Sequence, residues 1–315
     1  QSLRDQSVPA VELHATRCAI CGTASNAIEL YPATIDLEAL NPTVFSARRM
    51  PDGIHHRMVT CRTCGLVRAD PILAPQVLQR LYQQSPFDDS YIPEVANLRH
   101  TYGQRLAGLA RYDVRKGPLL EVGCGTGFLL EEALSQGYAE VHGVDPGLDA
   151  VARASPSVQP NIVCDIMRPG VFESEQFDVV CLFHVFDHIP DPGALLDECW
   201  RVLKPGGLIL ALNHNVQAVS ARLLKERSPI VIIQHTYLFS PATMARIFTA
   251  HGFAVCHVRP TRDRFTLRYL AHLTPLPPAL KRILRAALDR LPIGRISLSV
   301  PLGNVELVAR KPEAH

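Results

Sequence analysis

Through the middle of the chain, short apolar runs end repeatedly on an acidic residue. Leu119-Leu120-Glu121-Val122 leads into the turn Gly123-Cys124-Gly125-Thr126-Gly127, and a helical run opens at Phe128-Leu129-Leu130. Val141 to Val144 ends on Asp145, and the run from Asn161 to Ile166 contains Asp165. Phe177 to Phe183 is almost continuously apolar, the pattern of a strand buried on both faces. Further strands are predicted at Leu208–Leu212, Phe253–Val258 and Val305–Ala309. Strands alternating with helical segments define an α/β domain built on a mostly parallel, doubly wound sheet. Ser240-Pro241 predicts a helix start, a capping hydroxyl followed by proline at the first helical position. Upstream, Val77, Leu78 and Leu81, then Leu98, Tyr102, Leu106 and Leu109, have helical spacing.

Composition adds little to this picture. In 315 residues the hydrophobic fraction is 47% and the charged fraction 20%, enough for one full domain and a small second one. A net charge of +2 does not call for a polyanionic partner. No apolar run reaches bilayer length, and Gln1-Ser2-Leu3-Arg4-Asp5 has no signal core, so a cytoplasmic protein without a transmembrane segment is expected.

The cysteines change the picture more. Cys18-Ala19-Ile20-Cys21-Gly22 and Cys61-Arg62-Thr63-Cys64-Gly65 are two C-x-x-C-G knuckles about forty residues apart. Two such turns facing each other give a four-thiolate site suited to structural zinc; disulfides or unpaired thiols are the alternatives. Cys124, Cys164, Cys181, Cys199 and Cys256 read mostly as small buried hydrophobes.

The loop from Glu121 to Gly127 has its third glycine one residue earlier than a dinucleotide-binding turn, and a carboxylate stands just before it. That carboxylate would repel a diphosphate and favour a cationic ligand. With Asp145, Asp165, the Phe177–Phe183 run and Leu203-Lys204-Pro205-Gly206-Gly207, the segment resembles the class I S-adenosylmethionine-dependent methyltransferases over roughly 117–260, and again at 304–311. The resemblance implies a seven-stranded methyltransferase sheet with S-adenosylmethionine as cofactor. Glu121, Gly123, Gly125, Gly127, Asp145, Pro146, Asp165, Ile166 and Phe183 would surround it, with Asp145 at the ribose hydroxyls and Asp165 at the adenine amino group. With the knuckles, and with Leu81-Tyr82 and Ser90-Tyr91, the whole is similar to zinc-ribbon methyltransferases of bacterial glycan and natural-product pathways.

The expected organisation is a tail at 1–10, a zinc ribbon at 11–71, linker helices covering the cofactor site at 72–116, and the methyltransferase domain at 117–315. The ribbon is expected to have its own core, so that metal loss leaves the cofactor domain largely intact. An insertion at 261–303 carries Leu280, Ile283, Leu284, Ala287, Leu288 and Leu291 on one helical face, with Lys281, Arg282, Arg285 and Arg290 mostly elsewhere. Packing on its own domain, a homodimer contact and a membrane surface all suit that pattern.

Methyl transfer is an in-line displacement, and an alcohol acceptor needs a base. His184 follows the fourth strand, His214 and Asn215 follow the fifth, and His235 and Tyr237 stand in the segment that borders the acceptor in the family. His184 and His235 are the candidate bases, with Tyr237 beside them. His184-x-x-Asp187-His188 also occupies the place of the Glu-x-x-Glu-His run of ubiquinone-pathway O-methyltransferases, which binds a divalent ion; capping of the following loop is the metal-free alternative. Arg259, Arg262, Arg264 and Arg268 could grip an acidic group of a substrate or form a solvated face. Phe183-His184-Val185-Phe186 replaces the Pro-Pro loop of DNA-base aminomethylating enzymes.

The leading reading is therefore methyl transfer to an oxygen of a small-molecule acceptor, a sugar or natural-product intermediate. An RNA methyltransferase gripping nucleic acid through the ribbon is one alternative. The segment 11–71 has no Lys and few aromatics, which counts against a nucleic-acid partner. A non-catalytic S-adenosylmethionine-binding protein is the other.

Overall fold

The computed structural model describes residues 12–45, 53–87, 94–273, 276, 278–301 and 303–313. The expected tail at 1–10 and the pair Ser90-Tyr91 lie outside the described residues. In chain order the first elements are β1 (Leu13–His14), β2 (Ala27–Tyr31), β3 (Met58–Cys61), β4 (Val67–Ala69), β5 (Ile72–Leu73), α1 (Pro75–Gln84) and α2 (Val95–Ala107). Then come β6 (Pro118–Val122), α3 (Phe128–Ser135), β7 (Glu140–Val144), α4 (Leu148–Ala152), β8 (Ile162–Val163), β9 (Phe177–Phe183), α5 (Pro192–Val202) and β10 (Leu203–His214). The chain continues through α6 (Val219–Leu224), β11 (Tyr237–Leu238), α7 (Pro241–Ala250) and β12 (Ala254–Pro260). It ends with β13 (Asp263–Thr266), α8 (Leu267–Leu273), α9 (Pro278–Arg290), β14 (Ser297–Val300) and β15 (Asn304–Arg310).

Seven strands form the central sheet in the order β12-β15-β10-β9-β6-β7-β8. The pairs β6–β7, β7–β8, β6–β9 and β9–β10 are parallel, and β15 runs antiparallel between β10 and β12. This is the Rossmann-like methyltransferase arrangement, with the chain reversing beside β6 so that the loops after β6, β7, β9 and β10 gather at one edge. Burial explains why the pattern was legible. Every residue of β9 is buried, with helices packed on both faces of the sheet, and each of its large apolar side chains contributes about 1.5–3 kcal/mol.

One face of the sheet packs against α5 and α7, where Phe186 stacks on Phe239 at 4.9 Å between ring centres. The other packs against α2 and α3, where Tyr102 meets Phe128 and Phe183. The helices predicted between 72 and 116 divide between two cores. Leu98, Tyr102, Leu106 and Leu109 join the second face, whereas Leu78 and Leu81 of α1 pack with Met58, Leu73, Ile233 and Leu238.

The cysteine-bearing segment differs from the expectation of a unit with its own core. Cys18, Cys61 and Leu66 pack in the same hydrophobic cluster as Val122, Phe186 and Phe239. Its sheet, ordered β11-β4-β3-β2, is completed by β11 from far down the chain, with Tyr237 opposite Arg68. The Tyr237 hydroxyl donates to the Arg17 carbonyl at 3.0 Å.

Candidate active site

The loop after β6 turns tightly because its glycines adopt positive φ. Gly123 has φ +71°, and a Cβ there would lie 2.1 Å from Val185 Cγ2. Gly125 has φ +53° and faces open space, leaving its peptide accessible. Gly127, at φ +73°, precedes the first turn of α3. Asp145 braces this loop from the end of β7: Oδ2 accepts from Gly125 N and Oδ1 from Gly147 N, each at 2.8 Å. Glu121 is buried one strand over, at 3% exposure. Asp165 accepts from Ile166 N at 2.7 Å and pairs with Arg168 at 2.6 Å. Pro146 is half-buried beside Asp145, and Ile166 is exposed.

Three carboxylates thus stand at adjacent strand ends around a glycine cradle. This acceptor-only set suits hydroxyl, amino and ammonium donors, and it suits S-adenosylmethionine better than a diphosphate. Phe183, also in the expected cofactor set, is 5% exposed at the end of β9 and packs on Tyr102 at 4.6 Å.

Beside the loop, the ends of β9 and β10 gather histidines around Asp187. His184 is held at φ +53°, an unusual conformation for a non-glycine residue, while its N–H donates to the Leu212 carbonyl at 2.8 Å. His214 Nδ1 lies 2.6 Å from Asp187 Oδ2, and its ring centre is 4.6 Å from that of His184. His235 Nε2 is 3.9 Å from Asp187 Oδ2, and His188 Nε2 is 3.7 Å from Oδ1. The Tyr82 hydroxyl of α1 reaches His188 Nδ1 at 3.0 Å. Burial alone would raise the Asp187 carboxyl pKa, but His235, His214 and His188 outweigh it and hold Asp187 well below the usual carboxylate range. The N–H groups of Thr236 and Tyr237 donate to its main-chain carbonyl.

This geometry revises the candidate bases. His235 is 2% exposed, its Nδ1 is bonded to the Ile230 carbonyl at 2.7 Å, and burial pushes its pKa down to about 3. Its ring lies 4.8 Å from that of His214 and is closed off from solvent. Tyr237 is 3% exposed and points toward the cysteine segment, where burial raises its pKa. His214, one-quarter exposed, has its Nδ1 fixed by an ionised carboxylate, so it donates there and presents Nε2 as an acceptor. Its position after the fifth strand was visible in the sequence, but the partnership with Asp187 was not. His184, Asp187 and His188 do not form one ligand group. Asp187 belongs instead to two triads, one with His184 and His214 and the other with His188 and His235.

The four knuckle cysteines do converge. Cys18 Sγ lies 3.3 Å from Cys64 Sγ, Cys21 Sγ lies 3.5 Å from Cys61 Sγ, and all four sulfurs fall within 4.8 Å of one another. These separations are too long for disulfides and near the edge of a tetrahedron whose centre is about 2.3 Å from each sulfur. Burial raises the Cys61 pKa, but the N–H groups of Cys64 and Thr63 and the neighbouring thiols outweigh it and bring Cys61 to about 6. The set fits zinc.

A Rossmann-like sheet with a glycine loop and three strand-end acids defines a class I methyltransferase domain. The chain belongs to the methyltransferase-domain family, whose match covers residues 95–258. It is 28% identical over 169 residues to a ubiquinone biosynthesis O-methyltransferase of Psychrobacter arcticus, covering 47% of this chain and 65% of that protein. It is 31% identical over 165 residues to the protein of the same name from Nitrobacter winogradskyi, covering 47% and 63%. The chain thus spans less than two thirds of the length of these curated relatives. A crystal structure of a SAM-dependent methyltransferase from Archaeoglobus fulgidus superimposes with a TM-score of 0.49 at 20% identity, covering 71% of this chain and all of that one.

Proposed function

We propose that this protein methylates an oxygen of a small-molecule acceptor, a sugar or natural-product intermediate, with His214 as general base and Asp187 as its orienting partner. Bound S-adenosylmethionine would supply an electrophilic methyl group on a sulfonium. Asp145 would accept from the ribose hydroxyls and Asp165 from the adenine amino group, while Glu121 would face the cationic end. The Gly125 peptide lets the donor approach the loop closely. His184, at the end of β9, would line the methyl's path. His214 Nε2 would take the acceptor's proton as the new bond forms, and ionised Asp187 would stabilise the resulting imidazolium. Cys18, Cys21, Cys61 and Cys64 would hold a structural zinc ion. The relatives named as ubiquinone biosynthesis O-methyltransferases support oxygen as the atom methylated.

The observation that carries the base assignment is the 2.6 Å contact between His214 Nδ1 and the buried carboxylate of Asp187. The test has two parts. Calorimetry should show binding of S-adenosylhomocysteine; no binding rejects the methyl-transfer reading itself. Transfer of a labelled methyl group to a panel of hydroxylated acceptors should then fall about 10²–10⁴-fold in kcat for His214→Gln, with cofactor affinity unchanged. Full turnover in that variant rejects the base. Activity abolished by a chelator that leaves the knuckle zinc in place would instead favour a divalent ion beside Asp187.

A further inference from the structure

The insertion between β12 and β15 is anchored at the site. Thr261 N donates to the Asn304 carbonyl at 2.9 Å, Asn215 N donates to the Gly303 carbonyl at 2.7 Å, and Asn304 stands opposite His214 in the sheet. Both ends of the insertion therefore emerge at the sheet edge from which His184 and His214 project. Its inner layer is fixed to the core: Phe265 is buried, and Tyr269 and Leu270 pack against the cluster of Tyr102 and Phe128.

Its outer layer is unusual for a protein surface. On α9, Leu280 is 50% exposed and Ile283 65%, Ala287 is also exposed, and Leu291, just past its end, is 52% exposed. These residues recur at helical spacing and form an apolar stripe that faces out. The following turn and β14 extend it with Ile293, Ile296 and Leu298, all exposed. Beside Gly303, where a Cβ would lie 2.7 Å from Ala218 Cβ, α6 begins and adds Val219 and Leu223, the two most exposed large hydrophobics among the described residues. A large exposed apolar surface marks an interaction site.

Charge identifies what it meets. Residues 261–303 hold eight Arg and Lys against two Asp, a net of +6 in a chain whose total is +2, so the remainder is net −4. Asp263 is buried against Arg105, and Asp289 is paired with Arg268. Arg264, Arg282, Arg290 and Arg295 are exposed around the aliphatic stripe. A two-fold contact with a second copy would bring two +6 surfaces together, which like-charge repulsion opposes. Nucleic acid would satisfy the charge but not the aliphatic side chains, and among the described residues no aromatic stands among the exposed large hydrophobics for a base to stack on.

We propose that the 261–303 insertion, together with α6, docks on an anionic lipid bilayer, its aliphatic stripe entering the interface and its arginines meeting the headgroups. Docking would set the rim of the candidate active site against the membrane surface.

The test is sedimentation of the full chain with large unilamellar vesicles of phosphatidylcholine alone or mixed with phosphatidylglycerol. Partitioning should appear with the anionic vesicles, weaken at high salt and fall roughly tenfold or more in Ile283→Asp. S-adenosylhomocysteine affinity, unchanged in that variant, would report an intact fold. Failure to sediment with anionic vesicles at low salt overturns the proposal. So does equal partitioning of Ile283→Asp, and so does light scattering that shows a dimer which Ile283→Asp splits.

Discussion

Asp145 holds the glycine loop through both of its oxygens, so its replacement acts on the donor site twice. Asp145→Ala would remove the proposed ribose acceptor and release the peptides of Gly125 and Gly147. Calorimetry with S-adenosylhomocysteine should show a loss of about 1.5–3 kcal/mol, and unchanged affinity would remove Asp145 from the site. At this scale the sequence was most legible where a residue's role follows from its place on a strand. Glu121, Asp145 and Asp165 could be named because each ends or follows an apolar run. His214 could not be given its role, because that role depends on Asp187, which lies twenty-seven positions earlier and reaches it only when β9 and β10 lie side by side. His235 and Tyr237 show the converse. Their position in the chain suggested chemistry, but the fold buries both rings.

Among the elements, β9 was readable to the residue because burial on both faces makes all of it but Asp178 apolar. β8 is shorter than the run from Asn161 to Ile166 suggested, because only Ile162 and Val163 pair with β7. β11 gave no signal: two residues of ordinary composition become a strand only by pairing with β4. The start of α7 was legible from Ser240-Pro241, and the cap is reciprocal. Ser240 Oγ accepts from Thr243 N, and Thr243 Oγ1 accepts from Ser240 N. Threonine here does what glutamate or glutamine usually does at that position. Ser240→Ala should cost about 1 kcal/mol, read from the urea midpoint with the denaturant slope unchanged.

Over the whole molecule, a buried histidine of the cysteine-bearing segment couples stability to pH. His56 is 2% exposed, and burial, with a contribution from the neighbouring His55, brings its pKa down to about 4. The unfolded chain takes up this proton near pH 6.5, whereas the folded protein resists it down to about 4. The resulting stability is fully present above pH 6.5 and is lost as pH falls toward 4, with a slope of up to about 1.4 kcal/mol per pH unit. His56→Gln should flatten the fall in urea midpoint between pH 6.5 and 5, and an unchanged slope would place the acid sensitivity elsewhere.

The strand pairing between β4 and β11 has one more consequence. The β-sheet that carries the Cys61–Cys64 knuckle also holds Tyr237, whose N–H, with that of Thr236, grips the Asp187 carbonyl. Under the proposed function, an oxidant that consumes the thiols should therefore act at a distance on His214 and Asp187, through a single layer of backbone hydrogen bonds. Turnover should decline with thiol loss while S-adenosylhomocysteine is still bound, since Glu121 and Asp145 sit on β6 and after β7, away from that layer. A mild peroxide titration that follows zinc release, ligand affinity and methyl transfer together would show it: the first and third should fall in step, and the second should lag. Coupling of binding free energies is reciprocal, so whatever loosens Asp187 from its clamp should also weaken the affinity of the four thiols for the proposed zinc ion.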